Sequence, residues 1–238
     1  TLILKKQAWV PDAVTGGQDT VGLRVPAHPV ALELLQQFVA TEGNANAGIA
    51  APSANRFGRI SPTTAQHVRD ELGSQVALVL EGGACEVGIE STILDLSRGS
   101  PAILRPGQLS PTQLAVVLGF EPPIVTAVGA PRVSGSLESH YAPQTRLYLL
   151  DADPLLNYLN VVRHRGGRCG VIAHDLPKMA AQPHEWRMLP ADPDGYAREI
   201  YAVLRELDGL GLDAIVVESL PPIPAWAAVA DRLRRAAA

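Results

Sequence analysis

Residues 88–96, GIESTILDL, contain the segment that decides the fold class. The apolar and β-branched side chains of residues 91–96 predict a strand, and the turn-rich GGACEVG separates it from an earlier apolar run, residues 76–80, which also predicts a strand. Another short strand is predicted over residues 102–104, and Ser110-Pro111 then predicts a helix start. Strands and helices that alternate in this way indicate an α/β layered structure.

The chain before this segment carries the same alternation. Residues 20–25, TVGLRV, predict a strand, and apolar residues at helical spacing predict a helix over 29–40. Residues 1–10, TLILKKQAWV, are typical of a strand and lack the order of a signal peptide. The Pro, Ser, Asn and Gly content of residues 52–60 predicts a loop, and Ser61-Pro62 predicts another helix start.

The pattern changes over residues 120–143, where Pro, Gly and Ser are frequent and no periodicity is sustained. We expect a linker or a lid over a site. Strands and helices then alternate again. The strands are predicted over 147–150, 169–173 and 214–218, and the helices over 154–163, 196–207 and 226–235. Parallel strands joined by helices predict a small Rossmann-like sheet, here without the GxGxxG motif of nucleotide binding.

Composition excludes several classes of protein. The 238 residues are 47% hydrophobic and 18% charged, which fits a globular protein of one large or two small domains and excludes disordered and coiled-coil chains. No run approaches the roughly 18 apolar residues of a membrane span, so we expect no membrane partner. The net charge of −4 argues against a surface that binds nucleic acid throughout. Two cysteines without CxxC spacing predict a reducing, cytoplasmic compartment.

Motifs for the common hydrolases and P-loop proteins are missing, and no His, Asp and Glu cluster has metal-ligand spacing, so we expect no protein-bound metal. Ser53, Asn55 and Ser61 instead place hydroxyl and amide groups before a predicted helix N-terminus, where free N–H groups favour phosphate. The alternative is that Ser61 caps its helix and Asn55 supports a turn.

Strand ends supply further candidates. Arg24 lies in TVGLRV and Arg105 precedes Pro-Gly, where a guanidinium can hold a carboxylate or phosphate with two hydrogen bonds. The alternative for each is an ordinary surface arginine. Ser91 begins a strand after a glycine-rich turn that lets a ligand approach, or else it is a turn hydroxyl. Cys85 has no histidine near it in sequence, which favours a buried, inert thiol.

Five segments, in this order and at these separations, resemble the YrdC-like threonylcarbamoyl-AMP synthase family in its longer two-domain form. They are TVGLRVPAHP, AAPSANRFGRISPTT, GIESTILDL, ILRPG and SGSLESHYAP. The resemblance implies an α/β fold in which residues 1–118 are the later part of a YrdC-like catalytic domain, an incomplete twisted sheet with flanking helices. It also implies a linker or lid over 119–145 and a small accessory Rossmann-like parallel α/β domain over 146–238.

The resemblance implies a nucleotidyltransferase that condenses L-threonine, bicarbonate and ATP into threonylcarbamoyl-adenylate and pyrophosphate. A threonylcarbamoyl transferase complex would then modify tRNA, and Mg²⁺ would be carried by the ATP phosphates. Because such an enzyme positions reactants and neutralises charge, no residue is assigned as acid, base or nucleophile. The implied ATP contacts are Thr20, Ser53, Asn55, Ser61, Arg105 and Tyr141, and the implied L-threonine contacts are Arg24, the Ala51 backbone and Ser91.

The sequence departs from the family's pattern at its start. The family's catalytic domain opens with a Thr-bearing strand and a Lys-x-Arg segment, and Lys5 and Lys6 do not have that spacing. We therefore expect the N-terminal third of the family's chain to be missing here, and this chain alone to be unable to complete the reaction. Two alternatives stay open: a non-catalytic RNA-binding YrdC-like protein, and a carbamoyl-adenylate-forming maturation factor for a metallocentre.

Overall fold

The computed structural model describes residues 1–125, 130–135, 139–177 and 184–238, which form two four-stranded sheets. The N-terminal sheet has the order β2-β1-β3-β4. Its strands are β1 (Leu2–Lys5), β2 (Thr20–Leu23), β3 (Ile93–Asp95) and β4 (Ala102–Arg105). β1 pairs antiparallel with β2 and parallel with β3, and β3 pairs antiparallel with β4. This mixed sheet confirms the strands predicted from TVGLRV, STILDL and AIL, and the strand predicted from TLILKKQAWV forms over Leu2–Lys5.

Helices flank this sheet in the described residues. They are α1 (Asp12–Thr15), α2 (Pro29–Glu42), α3 (Ala65–Leu72) and α4 (Pro111–Leu118). At the start of α4, Ser110 and Gln113 form a capping box and Pro111 occupies the first turn, which confirms the start predicted from Ser110-Pro111. α2 begins at Pro29 as predicted, although it buries none of its residues.

The helix start predicted at Ser61-Pro62 is wrong by three residues. α3 is capped by Thr64, whose side chain accepts a hydrogen bond from the His67 N–H at 3.2 Å. The Ser61 hydroxyl donates instead to Glu90 Oε1 at 2.5 Å, so it is engaged away from the helix. The alternative reading of Ser61 as a helix cap is therefore also wrong.

The strand predicted over residues 76–80 does not form. A 3₁₀ turn at Gly73–Gln75 precedes this run, and no strand is assigned to it in the part of the chain that the structure describes. Leu78 and Leu80 are exposed. An apolar run becomes a strand only where a neighbouring strand pairs with its backbone, and neither described sheet supplies that neighbour here.

The C-terminal sheet is parallel throughout, with the order β5-β8-β6-β7. Its strands are β5 (Leu147–Leu150), β6 (Cys169–Ala173), β7 (Glu185–Met188) and β8 (Ala214–Glu218), and its helices are α5 (Ala152–His164), α6 (Pro193–Asp208) and α7 (Ala227–Ala236). The predicted Rossmann-like α/β arrangement is confirmed. Within the described ranges, no helix combines the length and apolarity needed to cross a bilayer.

The sequence gives no prediction for β7. Its residues, EWRM, alternate in burial and carry two charges, and the strand lies at the edge of the sheet beside β6. Part of the segment predicted as a linker or lid, residues 126–129 and 136–138, lies outside the described residues. On either side of these gaps, Ile124 bridges to Ile103 and Ala142 bridges to Arg59.

One hydrophobic core joins the C-terminal sheet to the loops of the N-terminal sheet. Ile60, Ile89 and Tyr141 belong to the same buried cluster as the apolar faces of α6 and α7. Gly88 marks the closest approach, because its φ is +82° and a Cβ there would lie 2.2 Å from the Ala197 carbonyl oxygen. A side chain at residue 88 would therefore push α6 away from the GIESTILDL loop.

Candidate active site

Two of the residues predicted to hold L-threonine are in contact. Arg24 follows β2, and its Nη2 donates a hydrogen bond to the Ala51 carbonyl oxygen at 3.3 Å. Arg24 is exposed, so the guanidinium keeps donors directed toward solvent. Thr20 lies on the same strand, but it is buried and faces Lys5 of β1 in the sheet register.

Ser91, the third predicted threonine contact, is joined to Arg105 of β4. Arg105 Nε and Nη2 both donate to the Ser91 carbonyl oxygen, at 3.2 and 2.9 Å, and Nη1 donates to the Ser134 carbonyl at 2.9 Å. The Ser91 hydroxyl lies 2.7 Å from that of Thr1. Burial lowers the pKa of Arg105, with the positive charge of Arg232 acting in the same direction. A buried guanidinium therefore ties residue 91 to residue 134 of the predicted lid.

The Tyr141 hydroxyl and the Arg105 guanidinium both approach Gly135. A Cβ on Gly135 would lie 1.9 Å from the Tyr141 hydroxyl and 3.3 Å from Arg105 Nη1, so both groups converge on this glycine. The Tyr141 backbone is left-handed, with φ of 64°, and its ring is almost fully buried. The ring stacks on Tyr201 with centroids 5.7 Å apart. Burial raises the pKa of Tyr141, and the nearby Glu90 carboxylate acts in the same direction.

The sequence motifs do not predict the ion pair between Glu90 and the buried Arg232. Glu90 Oε1 accepts from Ser61, whereas Oε2 accepts from Arg232 Nε at 2.8 Å and from the Tyr201 hydroxyl at 3.0 Å. Burial opposes the charge of Glu90, but Arg232 and the Ser61 hydrogen bond outweigh it and lower the pKa of this carboxyl. The carboxylate is therefore a fixed negative charge between the two sheets.

A signal for this pair exists in the sequence. Along α7, the buried side chains Ala228, Val229, Leu233 and Ala236 follow helical spacing, and Arg232 occupies the same buried face. An arginine on the apolar face of a helix needs a buried acceptor. Glu90 is one of the two acidic residues of GIESTILDL, but its separation of 142 residues from Arg232 gives no indication that the two meet.

The remaining predicted ATP contacts lie on the loop before α3. Ser53 is exposed. The Asn55 amide donates to the carbonyl oxygens of Arg56 at 2.8 Å and Arg59 at 3.2 Å, which is the turn support that the alternative reading predicts. Its Oδ1 is buried and has no hydrogen-bond partner among the described residues. Asn55 therefore supports the loop and retains one acceptor.

Arg205 of α6 holds the end of this loop. Its Nη2 donates to the Ile60 carbonyl oxygen and forms an ion pair with Glu71 of α3, and its Nε donates to the Ser61 carbonyl at 3.3 Å. Cys85 is exposed, so its prediction as a buried thiol is wrong, although partial burial still raises its pKa. The described ranges contain no cluster of three His, Cys, Asp or Glu side chains placed to hold a metal ion.

Comparison with known proteins identifies the family. Residues 1–107 match the Sua5/YciO/YrdC family model, described as "Telomere recombination", and residues 109–238 match the model of the threonylcarbamoyl-AMP synthase C-terminal domain. The chain belongs to the threonylcarbamoyl-AMP synthase family. Synthases of this name from Pyrococcus abyssi and Bacillus subtilis are 31% and 33% identical to it, over 99% and 100% of this chain and 69% of each relative.

A solved structure of the synthase family has the same fold. The crystal structure of P. abyssi Sua5 complexed with L-threonine superposes with a TM-score of 0.82 at 31% identity, over 99% of this chain and 69% of that one. A His–Tyr double-alanine variant of the same archaeal protein superposes with a TM-score of 0.81. The resemblance and the fold class predicted from the sequence are confirmed.

Proposed function

We propose that this protein is an L-threonylcarbamoyladenylate synthase. In the reaction, the threonine amine takes up bicarbonate carbon with loss of water, and a carbamate oxygen then attacks the α-phosphorus of ATP. The new O–P bond forms as the bond to the β-phosphate oxygen breaks, and pyrophosphate leaves. The observation that carries the proposal is the position of the buried Arg105 guanidinium. It donates hydrogen bonds to the Ser91 and Ser134 carbonyl oxygens and approaches Gly135 together with the Tyr141 hydroxyl.

We propose roles that follow the chemistry of each group. Arg24 pairs with the threonine carboxylate, and the Ala51 carbonyl oxygen and the Ser91 hydroxyl bind the amine and hydroxyl of the amino acid. The Arg24 Nη2 and the Ala51 carbonyl oxygen lie 3.3 Å apart in the structure. This pairing would orient the amine of the bound threonine toward the bicarbonate carbon.

For ATP, the proposed contacts combine charge and hydroxyl groups. The residues are Thr20, Ser53, Asn55, Ser61, Arg105 and Tyr141. Arg105 supplies the positive charge that a triphosphate and the developing pyrophosphate require, and its burial strengthens this attraction. Mg²⁺, carried on the ATP phosphates, would supply further charge neutralisation when bound.

We also propose the organisation in which this chemistry takes place. Residues 1–118 form the catalytic unit, 119–145 the linker or lid, and 146–238 an accessory unit. The proposed co-reactants are ATP, L-threonine and bicarbonate, and the product passes to a threonylcarbamoyl transferase complex that acts on tRNA in the cytoplasm.

Release of pyrophosphate by the purified protein, with each substrate omitted in turn, tests the proposed reaction. We expect release to require L-threonine, bicarbonate and ATP together, in a protein that also carries the Lys-x-Arg segment of the family's catalytic domain. Salt-sensitive RNA binding without threonine-dependent release would instead favour the RNA-binding alternative, and replacement of threonine by carbamoyl phosphate without loss of activity would favour the maturation factor.

Calorimetric titration with L-threonine tests the role of Arg24. We expect Arg24→Ala to raise the dissociation constant by about 10- to 100-fold, the usual effect of losing hydrogen bonds to a charged group. Arg69→Ala is the matched control, because this arginine is on α3 and pairs with Glu81 at 3.5 Å. Equal threonine affinity in wild type and Arg24→Ala would contradict the assignment.

A further inference from the structure

Arg232 is an arginine buried to 1% exposure in the last helix of the chain. All three of its nitrogen atoms donate hydrogen bonds. Nε donates to Glu90 Oε2 at 2.8 Å, Nη1 to Asp231 Oδ2 at 2.7 Å, and Nη2 to the carbonyl oxygens of Pro106 at 3.0 Å and Glu90 at 3.3 Å. The desolvation cost of this charge is offset because each of the three nitrogens has an acceptor.

The acceptors of Arg232 adjoin the proposed ligand-binding residues. The Glu90 carbonyl belongs to the peptide that continues into Ser91, and the Pro106 carbonyl follows Arg105 directly. A single guanidinium therefore fixes the backbone beside a proposed threonine contact and a proposed ATP contact. Through the Glu90 carboxylate it also orients the hydroxyl of Ser61, a second proposed ATP contact.

The planar fork of arginine is required for this arrangement. It reaches a carboxylate and two carbonyl oxygens on separate loops, with Nη1 still engaged by Asp231. A lysine ammonium in the same space presents its three donors from one nitrogen and does not span these positions. The Tyr141 ring covers the guanidinium, with Cζ 5.4 Å from the ring centroid, so the Arg232 charge is also shielded from water.

We propose that Arg232 is a positioning residue of the synthase site: from the C-terminal helix, it sets the places of Ser61, Ser91 and Arg105 through Glu90 and the two carbonyl oxygens. This inference rests on the proposed function and adds to it a residue outside the catalytic unit. The C-terminal sheet and its helices thereby become part of the substrate-binding architecture, although Arg232 itself touches no substrate.

The test compares Arg232→Met, Arg232→Lys and the double variant Glu90→Gln/Arg232→Met by thermal unfolding and by calorimetric titration with ATP and with L-threonine. Arg232→Met leaves the Glu90 carboxylate buried without its counter-charge, so we expect a large fall in Tm or failure to fold. The double variant removes that charge, and we expect most of the Tm to return.

Substrate affinity should not return with stability. In the double variant the bonds to the Pro106 and Glu90 carbonyl oxygens are still missing, and we expect both dissociation constants to stay about tenfold above wild type. Arg232→Lys should show the same weakening. The matched control is Arg234→Met, two residues further along α7, where the exposed side chain donates to the Ala230 carbonyl one turn earlier in the same helix. Wild-type Tm and affinity are expected.

Each outcome bears on one of the two claims. A folded double variant, or Arg232→Lys, with wild-type affinity for both substrates would overturn the positioning role and leave the proposed function intact. Weakening of the same size in Arg234→Met would also overturn it, because the effect would then belong to the helix in general. A wild-type protein that binds neither ATP nor L-threonine would overturn the proposed function itself.

Discussion

The two sheets of this molecule differ in how completely they and their flanking helices are buried. β6 and β8 are buried along their whole lengths, and both faces of the C-terminal sheet pack against fully buried side chains of α5, α6 and α7. The N-terminal sheet leaves Leu23 half exposed on β2, and α2 and α4 bury none of their residues. The predicted site residues nevertheless belong almost entirely to the less covered half.

The most closely packed core and the predicted site residues therefore lie in different halves of the molecule. Loops 58–61 and 88–91 are held by polar groups of the C-terminal half, namely Arg205, Arg232 and Tyr201, in addition to their own sheet. Binding loops that are positioned by a rigid neighbour can keep exposed donors such as Arg24 for a ligand. The comparison predicts that stability depends chiefly on the C-terminal core, and that site geometry depends on the polar contacts between the halves.

The largest expected effect is loss of a core side chain in the C-terminal half. Leu204 of α6 has no exposed surface, and we expect Leu204→Ala to lower the free energy of unfolding by about 2–5 kcal/mol, because it removes buried apolar contacts and leaves a cavity. Val117 of α4 is 86% exposed, so Val117→Ala should change it by less than about 0.5 kcal/mol. Urea titration measures both; equal losses would contradict the comparison.

A smaller effect is expected from the contacts between the halves. Arg205→Met removes the ion pair between Arg205 and Glu71, whose side chains are 17% and 12% exposed, respectively. It also leaves the carbonyl oxygens of the loop without this donor. We expect a loss of about 1–3 kcal/mol, reflecting a buried acidic group left without its partner. Arg187→Met is the control, because its pair with Glu206 is more exposed and should contribute less than about 1 kcal/mol.

The ATP dissociation constant should also differ between Arg205→Met and Arg187→Met. Since Arg205 holds the Ile60 and Ser61 carbonyl oxygens, Arg205→Met should raise the ATP dissociation constant severalfold, whereas Arg187→Met should leave it unchanged. Unchanged ATP affinity in a folded Arg205→Met variant would show that the loop keeps its place without α6.

The sequence predicted the C-terminal half better than the contacts between the halves. Continuous apolar runs such as CGVIA and AIVVE become strands because both of their faces are buried. VALVL has the same local character but forms no strand, since pairing depends on neighbours that periodicity does not specify. The motifs predicted Ser61 and Ser91 as ligand contacts, and that stays a prediction, whereas the pairing of Glu90 with Arg232 depends on the fold that brings them together.

The smallest expected effect concerns pH and the neutral His184 inside the C-terminal half. Its Nδ1 accepts from the Cys169 N–H at 3.1 Å, and its Nε2 lies 3.1 Å from the Leu159 carbonyl, which accepts the Nε2–H. Burial lowers the pKa of His184, with the charge of Arg163 acting in the same direction. Protonation of Nδ1 would cost the hydrogen bond from Cys169.

Because the pKa is lower in the folded chain than in the unfolded chain, the unfolded chain takes up the proton first as pH falls. Stability is therefore complete above the unfolded value of about 6.5 and declines as pH drops through the interval between the two pKa values. His184→Asn keeps an acceptor for the Cys169 N–H but does not titrate, so its loss of unfolding free energy between pH 7 and pH 5 should be smaller than that of wild type. The two proteins are compared first at pH 8, where the imidazole is neutral in both states and any difference reports packing alone. Parallel pH profiles below pH 7 would mean that the C-terminal core tolerates the charged imidazole, and that this core is less closed to water than its burial indicates.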